Sequence, residues 1–458
     1  MAHTHDRAGG PHDWQHKHRA RGAIVQAFVR RLLLPCAMLA TLVACASPST
    51  VEHRAAPLAA APRAAQASAT PAVTGPSRPS QAQMRATADA LLRSMTLDQE
   101  LGQLFIVEYL YGDPQHADLQ AMIGDMGAGG VILYQSMNIY GIPQMQQLTQ
   151  AMQSDARIPL ILGADEEGGG DDQTDQIFGS HPTAWDIGST GNTAVAAQNA
   201  TRLANELKQL GMNADFAPVV DVLAPGHVWS RSFSHSPAEV AKMGIAQVDA
   251  MQTAGVMACP KHFPGLGAAT INPHDGLPVI DNSRAYIEEH DLAPYRALMD
   301  HQPAMIMTTD LLMPALDRTM PAELSQPIVT GILRNEIGYD GVVVTDALYM
   351  GGITDRFSMP EAGVLAMQAG NDMLEGAWNA AQMRTMVDAL RTAVQSGRLT
   401  KARIDESVRR ILMLKLTYGL MRPLSLHNVL ASAPVAPAMA GNDDRAAGGR
   451  REWRHAIV

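Results

Sequence analysis

The sequence predicts an α/β fold, a (β/α)8 TIM-type barrel that forms a single catalytic domain. Eight short apolar runs recur along the chain, and each is followed by a helical pattern. Runs of four to eight residues rich in Val, Ile and Leu are typical of parallel strands that are buried on both faces. The runs lie at residues 104–108, 130–134, 159–165, 213–221, 256–262, 304–310, 341–346 and 372–375. Strand and helix alternating eight times indicate such a barrel.

Amphipathic helices are predicted between the runs. Residues 194–210 carry apolar side chains at helical spacing. Another helix is expected to begin at Ser236, whose hydroxyl can cap the first turn while Glu239 lies three residues further on. A third should begin near Ser325, because Pro327 would fall in its first turn, where a missing N–H costs nothing.

Polar residues end most of the runs, and this indicates where chemistry takes place. In a barrel the carboxyl ends of the strands gather on one face, where active sites are built. Some of these acids could merely cap the helices that follow them. We expect the set as a whole to converge. The residues are Glu108, Asp165, Asp221, Lys261 with His262, Asp310, Asp346 and Glu375.

The ends of the chain differ in composition from its middle. Basic residues precede the apolar run at 32–44, which is typical of a secretory signal. That run is shorter than the ~20 residues that a transmembrane helix needs. Ala, Pro and Ser dominate the stretch that follows, which indicates a flexible tether. We therefore predict a signal segment at 1–45, a tether at 46–81, the barrel at 82–420 and a disordered tail at 421–458.

Charge and cysteine content narrow the class of protein. The formal net charge of −10 argues against a nucleic-acid partner, which would need a basic surface. The three cysteines, Cys36, Cys45 and Cys259, are too few for a disulfide framework.

Several motifs, taken in order along the chain, resemble glycoside hydrolase family 3. Residues 260–267 (PKHFPGLG) resemble the signature loop of that family, and residues 341–348 (GVVVTDAL) resemble the strand that carries its nucleophile. Supporting matches occur at 165–169 (DEEGG), 216–222 (FAPVVDV), 231–233 (RSF), 369–374 (AGNDML) and 403–408 (RIDESV). Within the family, the sequence is most similar to the one-domain β-N-acetylhexosaminidase branch.

This resemblance implies roles for particular residues. Asp346 would be the nucleophile of a retaining mechanism, and His274, in the loop after the lysine–histidine motif, would be its acid and base. Histidine suits that task because both of its protonation states are accessible near neutral pH. The resemblance assigns sugar binding to Asp165, Arg231, Lys261 and His262, and it implies no cofactor and no metal.

Residues 42–45 (LVAC) resemble a bacterial lipoprotein processing box. The resemblance would make Cys45 the lipidated first residue of the mature protein. A plain signal peptide with an incidental cysteine is the alternative. We expect a monomer in the cell envelope, anchored to a membrane by its lipid, with a carbohydrate as substrate.

The sequence departs from the family pattern at two places. Asn272 stands where the family has an aspartate that orients the catalytic histidine, although Asp275 is adjacent and could substitute. Residues 170–173 (GDDQ) replace a segment in which family members often have a valine and an arginine. We expect Asp171 and Asp172 to make the rim of the site more negative.

Several functions remain open at this point. The leading hypothesis is an exo-acting glycosidase that removes terminal β-linked N-acetylglucosamine from cell-wall or chitin-derived oligosaccharides. A β-glucosidase, a glycosyl phosphorylase and a catalytically impaired sugar-binding lipoprotein are the alternatives. A metal hydrolase that uses Asp165, His262 and Asp346 as ligands is disfavoured, because the first strand has no His-x-His pair.

Overall fold

A sheet of eight parallel strands forms the centre of the molecule, in a computed structural model that describes residues 79–227 and 229–421. The strands are β1 (Phe105–Glu108), β2 (Gly130–Ile132), β3 (Ile161–Ala164), β4 (Ala214–Asp215), β5 (Met257–Ala258), β6 (Met305–Met307), β7 (Val342–Ala347) and β8 (Met373–Ala377). Each predicted apolar run overlaps one of them, with β7 and β8 extending one and two residues beyond their runs, so the prediction of eight strands is confirmed. Their apolar side chains are almost completely buried.

The sheet curls into a nearly closed barrel. The strand order is β5-β4-β3-β2-β1-β8-β7-β6, and neighbouring strands pair in parallel. Backbone hydrogen bonds close the gap between β5 and β6. Phe263 N–H donates to the Met307 carbonyl (2.8 Å), and Met307 N–H donates to the Pro260 carbonyl (3.1 Å). All strand carboxyl ends therefore open onto one face.

Strands β4 and β5 are much shorter than the runs that predicted them. Each run contains a proline, Pro218 or Pro260, which has no N–H to donate to a ladder. The two segments nevertheless stay side by side. Val220 N–H donates to the Lys261 carbonyl at 2.7 Å, and Lys261 N–H donates to the Pro218 carbonyl at 3.1 Å. Polar residues at 221 and 261–262 are thereby carried to the open face.

Helices surround the barrel. The α-helices are Gln81–Ser94, Leu97–Gln103, Ala117–Leu119, Ile142–Asp155, Asp175–Phe178, Ala184–Ser189, Thr193–Gln209, Pro237–Thr253, Arg284–Glu289, Ala293–Leu298, Gly351–Thr354, Met359–Ala369, Ala380–Gln395 and Lys401–Thr417. Gln120–Asp125 and Pro327–Glu336 are π-helices, and Pro273–Asp275, Met299–His301 and Ala322–Leu324 are 3-10 turns. Within the described residues, no helix is both long enough and apolar enough to cross a membrane.

The three helices predicted from sequence are present, with one difference in type. Helix Thr193–Gln209 lies within one residue of the prediction at each end. Ser236 caps the next helix, and its hydroxyl accepts a hydrogen bond from the Glu239 N–H. The helix predicted near Ser325 is the π-helix Pro327–Glu336, in which hydrogen bonds span five residues rather than four.

The predicted boundaries of the folded unit can be compared with the structure only in part. Ser80 caps the first helix, two residues before the predicted start of the barrel at 82. The predicted signal segment at 1–45, with Cys45, lies outside the described residues, as do nearly all of the predicted tether and tail.

Lys415 is a buried cation in the last helix. Its side chain has no exposed surface, and its ammonium group donates a hydrogen bond to Gln103 Oε1 at 2.8 Å. Burial lowers the pKa of Lys415 to about 7, because the charged form loses its hydration. In the unfolded chain a lysine titrates near ~10.4. Folding below that pH therefore requires either a buried charge or the loss of a proton.

Replacing Lys415 with Met should stabilise the protein by about 1–3 kcal/mol at pH 7. The substitution removes the cost of burying or deprotonating the ammonium group, and this gain exceeds the loss of one hydrogen bond to Gln103. The folded pKa is the lower one, so the unfolded state holds more protons between about pH 7 and 10, and wild-type stability rises with pH in that window. Urea denaturation at several pH values measures the difference, which should shrink as the pH rises. Lys242→Met, at a half-exposed lysine, is the control and should change stability by less than about 0.5 kcal/mol. A destabilised Lys415→Met variant would contradict the prediction.

Candidate active site

Asp346 lies near the carboxyl end of β7, on the open face of the barrel. Its Oδ2 accepts a hydrogen bond from the Thr309 hydroxyl (2.9 Å), and its Oδ1 accepts one from the Ala347 N–H (2.9 Å). The side chain is half-buried, whereas the preceding strand residues are fully buried. These hydrogen bonds therefore fix the Asp346 carboxylate, while part of the side chain remains exposed on the open face.

Two buried acids stand behind Asp346. Burial, together with the negative charge of Asp346, raises the pKa of Asp310 well above its usual range. Burial and the charges of Asp310 and Asp346 do the same for Glu323, which accepts a hydrogen bond from the Asp346 N–H (3.1 Å). Because like charges in a dry site cannot all ionise, the neutral forms of Asp310 and Glu323 are favoured.

Glu167 is a central residue of the site that the sequence analysis did not assign a role. Its carboxylate accepts two hydrogen bonds from Arg231, at 2.6 and 2.7 Å, and lies 2.6 Å from the Lys261 ammonium. Burial alone would raise the pKa of Glu167, but the two cations lower it to about 2. Glu167 is therefore ionised and links the two predicted sugar-binding cations. The DEEGG motif could have indicated this, since Glu167 is its last acid.

The predicted sugar-binding residues lie together. The Lys261 ammonium also pairs with Asp165. Burial alone would lower the pKa of Lys261, but Asp165 and Glu167 raise it above its usual value. Arg231 is packed against the Trp229 ring, with its guanidinium carbon 4.8 Å from the ring centroid. Each cation is thus fixed by the protein before any ligand arrives, which reduces the ordering cost of binding.

His262 is oriented by Asp221. The Nδ1 atom of His262 lies 2.7 Å from Asp221 Oδ2, and His262 Nε2 lies 3.4 Å from a terminal nitrogen of Arg231. A guanidinium can only donate, so the contacts assign the proton to Nδ1 and leave Nε2 as an acceptor. The peptide bond between Lys261 and His262 is cis.

His274 is exposed in the 3-10 turn Pro273–Asp275, which packs against the segment that follows Asp346. A Cβ atom built on Gly351 would lie only 2.8 Å from the His274 carbonyl oxygen, so the two backbones are in close contact. The His274 ring lies 6.5 Å from that of Tyr349, centroid to centroid. The structure therefore brings His274 to the same face as Asp346.

Asn272 has a different role from the one considered for it. Its Oδ1 accepts a hydrogen bond from the backbone N–H of His274 at 3.0 Å, which caps the 3-10 turn. Within the described part of the chain, no hydrogen bond joins Asn272 or Asp275 to the His274 ring. Asn272 therefore shapes the loop rather than orienting the imidazole.

Further acids lie on β8, beside the strand that carries Asp346, and on the next strand, β1. Burial, together with the nearby charges of Asp165 and Asp346, raises the pKa of Glu108 to about 8, although hydrogen bonds from Tyr349 and Tyr134 oppose the shift. Burial and the same charges raise the pKa of Glu375 well above its usual range. The strand-end acids are thus close enough to influence each other's protonation, so the predicted convergence is confirmed.

The expectation that two extra acids line the rim holds for one of them. Asp171 is partly exposed, with its carboxylate 3.2 Å from the Arg231 Nε atom. For Asp172 the expectation is wrong, because Asp172 is buried and its Oδ2 lies 3.0 Å from His181 Nδ1. The reason is a tight turn at Gly168, whose φ of +81° suits glycine and folds the chain back on itself.

The strand ends of this parallel barrel bring together ionised and neutral carboxyl groups, fixed cations and an exposed histidine. These features define a TIM-barrel enzyme with acid–base and nucleophilic groups. Comparison with known proteins identifies the family. Residues 96–414 match the model of the glycosyl hydrolase family 3 N-terminal domain. The chain therefore belongs to glycosyl hydrolase family 3.

Relatives with assigned names support this placement. The chain is 33% identical over 409 residues to beta-hexosaminidase A of Pseudoalteromonas piscicida, covering 78% of this chain and 66% of that protein. It is 31% identical over 330 residues to beta-hexosaminidase LpqI of Mycobacterium tuberculosis, covering 69% and 82%. A family 3 beta-N-acetylglucosaminidase structure from Paenibacillus superposes with a TM-score of 0.67 at 32% identity, covering 77% of this chain and 66% of that one. The chain thus spans just under two thirds of the Pseudoalteromonas and Paenibacillus proteins.

Proposed function

We propose that this protein is a retaining exo-glycosidase that removes terminal β-linked N-acetylglucosamine from cell-wall or chitin-derived oligosaccharides. The observation that carries the proposal is the contrast at the strand ends. Asp346 is accessible and hydrogen-bonded, whereas Asp310 and Glu323 behind it are buried and neutral. One acid of the group is thus presented as a nucleophile. The family membership and the named relatives support the sugar specificity.

The proposed reaction takes place in two steps. Asp346 attacks the anomeric carbon while His274 gives a proton to the departing glycosidic oxygen, and a covalent glycosyl-enzyme forms. His274 then removes a proton from water, the water oxygen attacks the anomeric carbon, and the bond to Asp346 breaks. The sugar leaves with its original anomeric configuration, and both residues return to their starting states.

The fixed cations and carboxylates support sugar recognition in this proposal. Asp165 can accept hydrogen bonds from the hydroxyl groups of a sugar. Lys261 and Arg231 can donate hydrogen bonds to the sugar through the N–H groups that Glu167 does not bind. His262 Nε2 is an acceptor beside Arg231. Charge-assisted hydrogen bonds of this kind are strong and directional, so they suit a ligand with several hydroxyls.

A panel of chromogenic substrates tests the function. The para-nitrophenyl β-N-acetylglucosaminide should be hydrolysed much faster than the β-glucoside, and NMR should show that the first product is the β-anomer. A strict requirement for inorganic phosphate would support the phosphorylase instead. Inactivity on every aryl glycoside, together with measurable sugar binding, would favour the sugar-binding lipoprotein.

Replacing His274 with Ala should slow substrates with poor leaving groups far more than activated ones. General acid catalysis contributes about 10²–10⁴-fold, and a nitrophenolate leaves without it. The measured quantity is kcat/KM for a disaccharide and for the para-nitrophenyl glycoside. Asp275→Asn, next to His274 and also exposed, is the control and should affect both substrates little. An equal loss on both substrates in His274→Ala would contradict its role as the acid.

Cys45 is proposed to carry a lipid that anchors a monomeric enzyme to a membrane of the cell envelope. The basic and apolar order of the preceding segment and the LVAC motif support this proposal. In cell fractionation, Cys45→Ala should move the protein from the membrane to the soluble fraction. Cys36→Ala, within the apolar run, should leave it on the membrane. Equal partition of the two variants would overturn the anchor, and light scattering of the purified protein tests the monomer.

A further inference from the structure

A buried cluster of Glu166, Asp172 and His181, here called the His181 cluster, lies behind the sugar-binding residues. One ligand atom from each residue lies within 4.8 Å of the others. The side chains of Glu166 and His181 have no exposed surface, and that of Asp172 is 1% exposed. The proposed mechanism uses none of these three residues.

Glu166 is the residue that requires an explanation. Neither oxygen of its carboxyl group has a hydrogen-bond partner, although the side chain points into the cluster, with Oε1 3.8 Å from His181 Nδ1. A buried carboxyl group with two unpaired oxygens is costly, and proteins normally satisfy such groups. The Thr174 hydroxyl is also buried without a partner. The Glu166 oxygens and the Thr174 hydroxyl are therefore free to bind a further group, whereas Asp172 Oδ2 already accepts a hydrogen bond from the His181 backbone N–H at 2.7 Å.

The second nitrogen of His181 is already committed. His181 Nε2 lies 2.7 Å from Glu206 Oε2, and the other oxygen of Glu206 lies 2.8 Å from the Nε atom of Arg202. In the tautomer that carries its proton on Nε2, Glu206 accepts that proton and the Nδ1 lone pair faces Asp172 and Glu166. Histidines that bind metals are typically oriented in this way, by a carboxylate on the far nitrogen.

We propose that the His181 cluster is a structural zinc site, with His181 Nδ1 and one carboxylate oxygen each from Asp172 and Glu166 as ligands. Zinc bonds of about 2.0–2.2 Å in a tetrahedral site place ligand atoms roughly 3.3–3.6 Å apart. The Nδ1 atom lies 3.0 Å from Asp172 Oδ2 and 3.8 Å from Glu166 Oε1, on either side of that separation, and all three ligand atoms lie within 4.8 Å of one another. This inference does not depend on the proposed glycosidase function.

Charge and ligand type favour zinc over the alternatives. The two ligand carboxylates balance a dication, while Arg202 balances Glu206. An imidazole nitrogen suits zinc, whereas calcium and magnesium prefer six or more oxygen ligands, including several waters. The fourth zinc position would take one water, with the Thr174 hydroxyl beside it. Because the ligands are buried, such a site would hold structure rather than bind substrate.

The position of the cluster indicates what the metal would stabilise. Glu166 lies between Asp165 and Glu167, which face Lys261 on the other side of the same extended segment. A metal on Glu166 would therefore fix the segment that orients the sugar-binding carboxylates. His181 would tie the far end of the loop to the same point.

Metal content and thermal stability test the site. The full chain carries His3, His5, His12, His16 and His18, which can bind zinc themselves, so every comparison is made between variants of the same full chain. After chelation, reloading with zinc chloride and gel filtration, mass spectrometry should find one more zinc ion per chain in the wild type than in Glu166→Gln or His181→Ala. Zinc should also raise the Tm of the wild type by about 3 °C and leave that of both variants unchanged.

Glu166→Gln separates the metal from the main alternative, in which a proton shared between Glu166 and Asp172 satisfies the cluster. Glutamine mimics a protonated glutamic acid, so under that alternative the variant and the wild type have equal Tm values with and without zinc. Asp249→Asn, which removes an exposed partner of His301, is the control and should bind as much zinc as the wild type. Equal zinc in the wild type and Glu166→Gln, or a Tm gain with magnesium or calcium but not zinc, would overturn the proposal.

Discussion

Asp346→Asn is expected to lower kcat/KM by about 10⁴-fold or more while the fold is retained. An asparagine can keep the hydrogen bond from the Ala347 N–H, and the Thr309 hydroxyl can rotate to accept from the new amide. The amide is, however, too weak a nucleophile to form the glycosyl-enzyme. Steady-state kinetics on the para-nitrophenyl substrate measures the loss, and circular dichroism checks the fold.

Asp310→Asn is the matched comparison for that experiment. Asp310 is buried beside Asp346 and is already neutral, so an asparagine closely resembles its native state. We expect its loss of activity to be at least about 100-fold smaller than that of Asp346→Asn. If the two variants lost activity equally, or if Asp310→Asn lost more, the assignment of Asp346 as the nucleophile would be wrong. Mass spectrometry of a slow substrate complex should find the sugar on the peptide that contains Asp346.

Asp372→Asn is expected to lower the free energy of unfolding by about 3–5 kcal/mol. Asp372 is fully buried at the start of β8 and pairs with three arginines, Arg334, Arg403 and Arg410. Burial alone would raise the pKa of Asp372, but these cations lower it. Removing the one carboxylate would leave three guanidinium groups without their shared partner.

The pH dependence of the free energy of unfolding and a control variant distinguish the loss of these ion pairs from a nonspecific destabilisation. The folded pKa of Asp372 is below its unfolded value near ~4, so its contribution is complete above that pH and is lost as the pH falls through the folded pKa. Urea denaturation should show a constant difference from wild type between pH 5 and 8. Asp340→Asn is the control, because Asp340 pairs with the same Arg410 at 2.8 Å but is 90% exposed. It should cost less than about 1 kcal/mol, and a cost equal to that of Asp372→Asn would contradict the argument.

Local sequence patterns predicted the barrel because each strand and helix is determined mainly by residues that are close together in the sequence. Strands buried on both faces require apolar runs, and all eight runs overlap a strand. The cap at Ser236 followed from a hydroxyl at the right spacing before a helix. Prolines within the runs at 213–221 and 256–262 also show why those two strands end early, although the sequence analysis did not use them.

Predictions that depended on contacts between distant residues were less complete. Glu167 had no predicted role, because its partners Arg231 and Lys261 lie 64 and 94 residues away and meet it only in the folded barrel. Asp172 was expected at the rim and is buried against His181. Asn272, which stands where the family has a histidine-orienting aspartate, caps the turn of His274.

The order of residues along the chain was sufficient to predict the alternation of strands and helices and the acid near the end of β7, because periodicity and strand ends are local properties. Tertiary structure alone decided which carboxyl groups are ionised. A pKa depends on burial and on the charges that folding brings near, and these raise the pKa values of Asp310 and Glu323. For the same reason, the unpaired Glu166 could be recognised only after the loop had folded over His181.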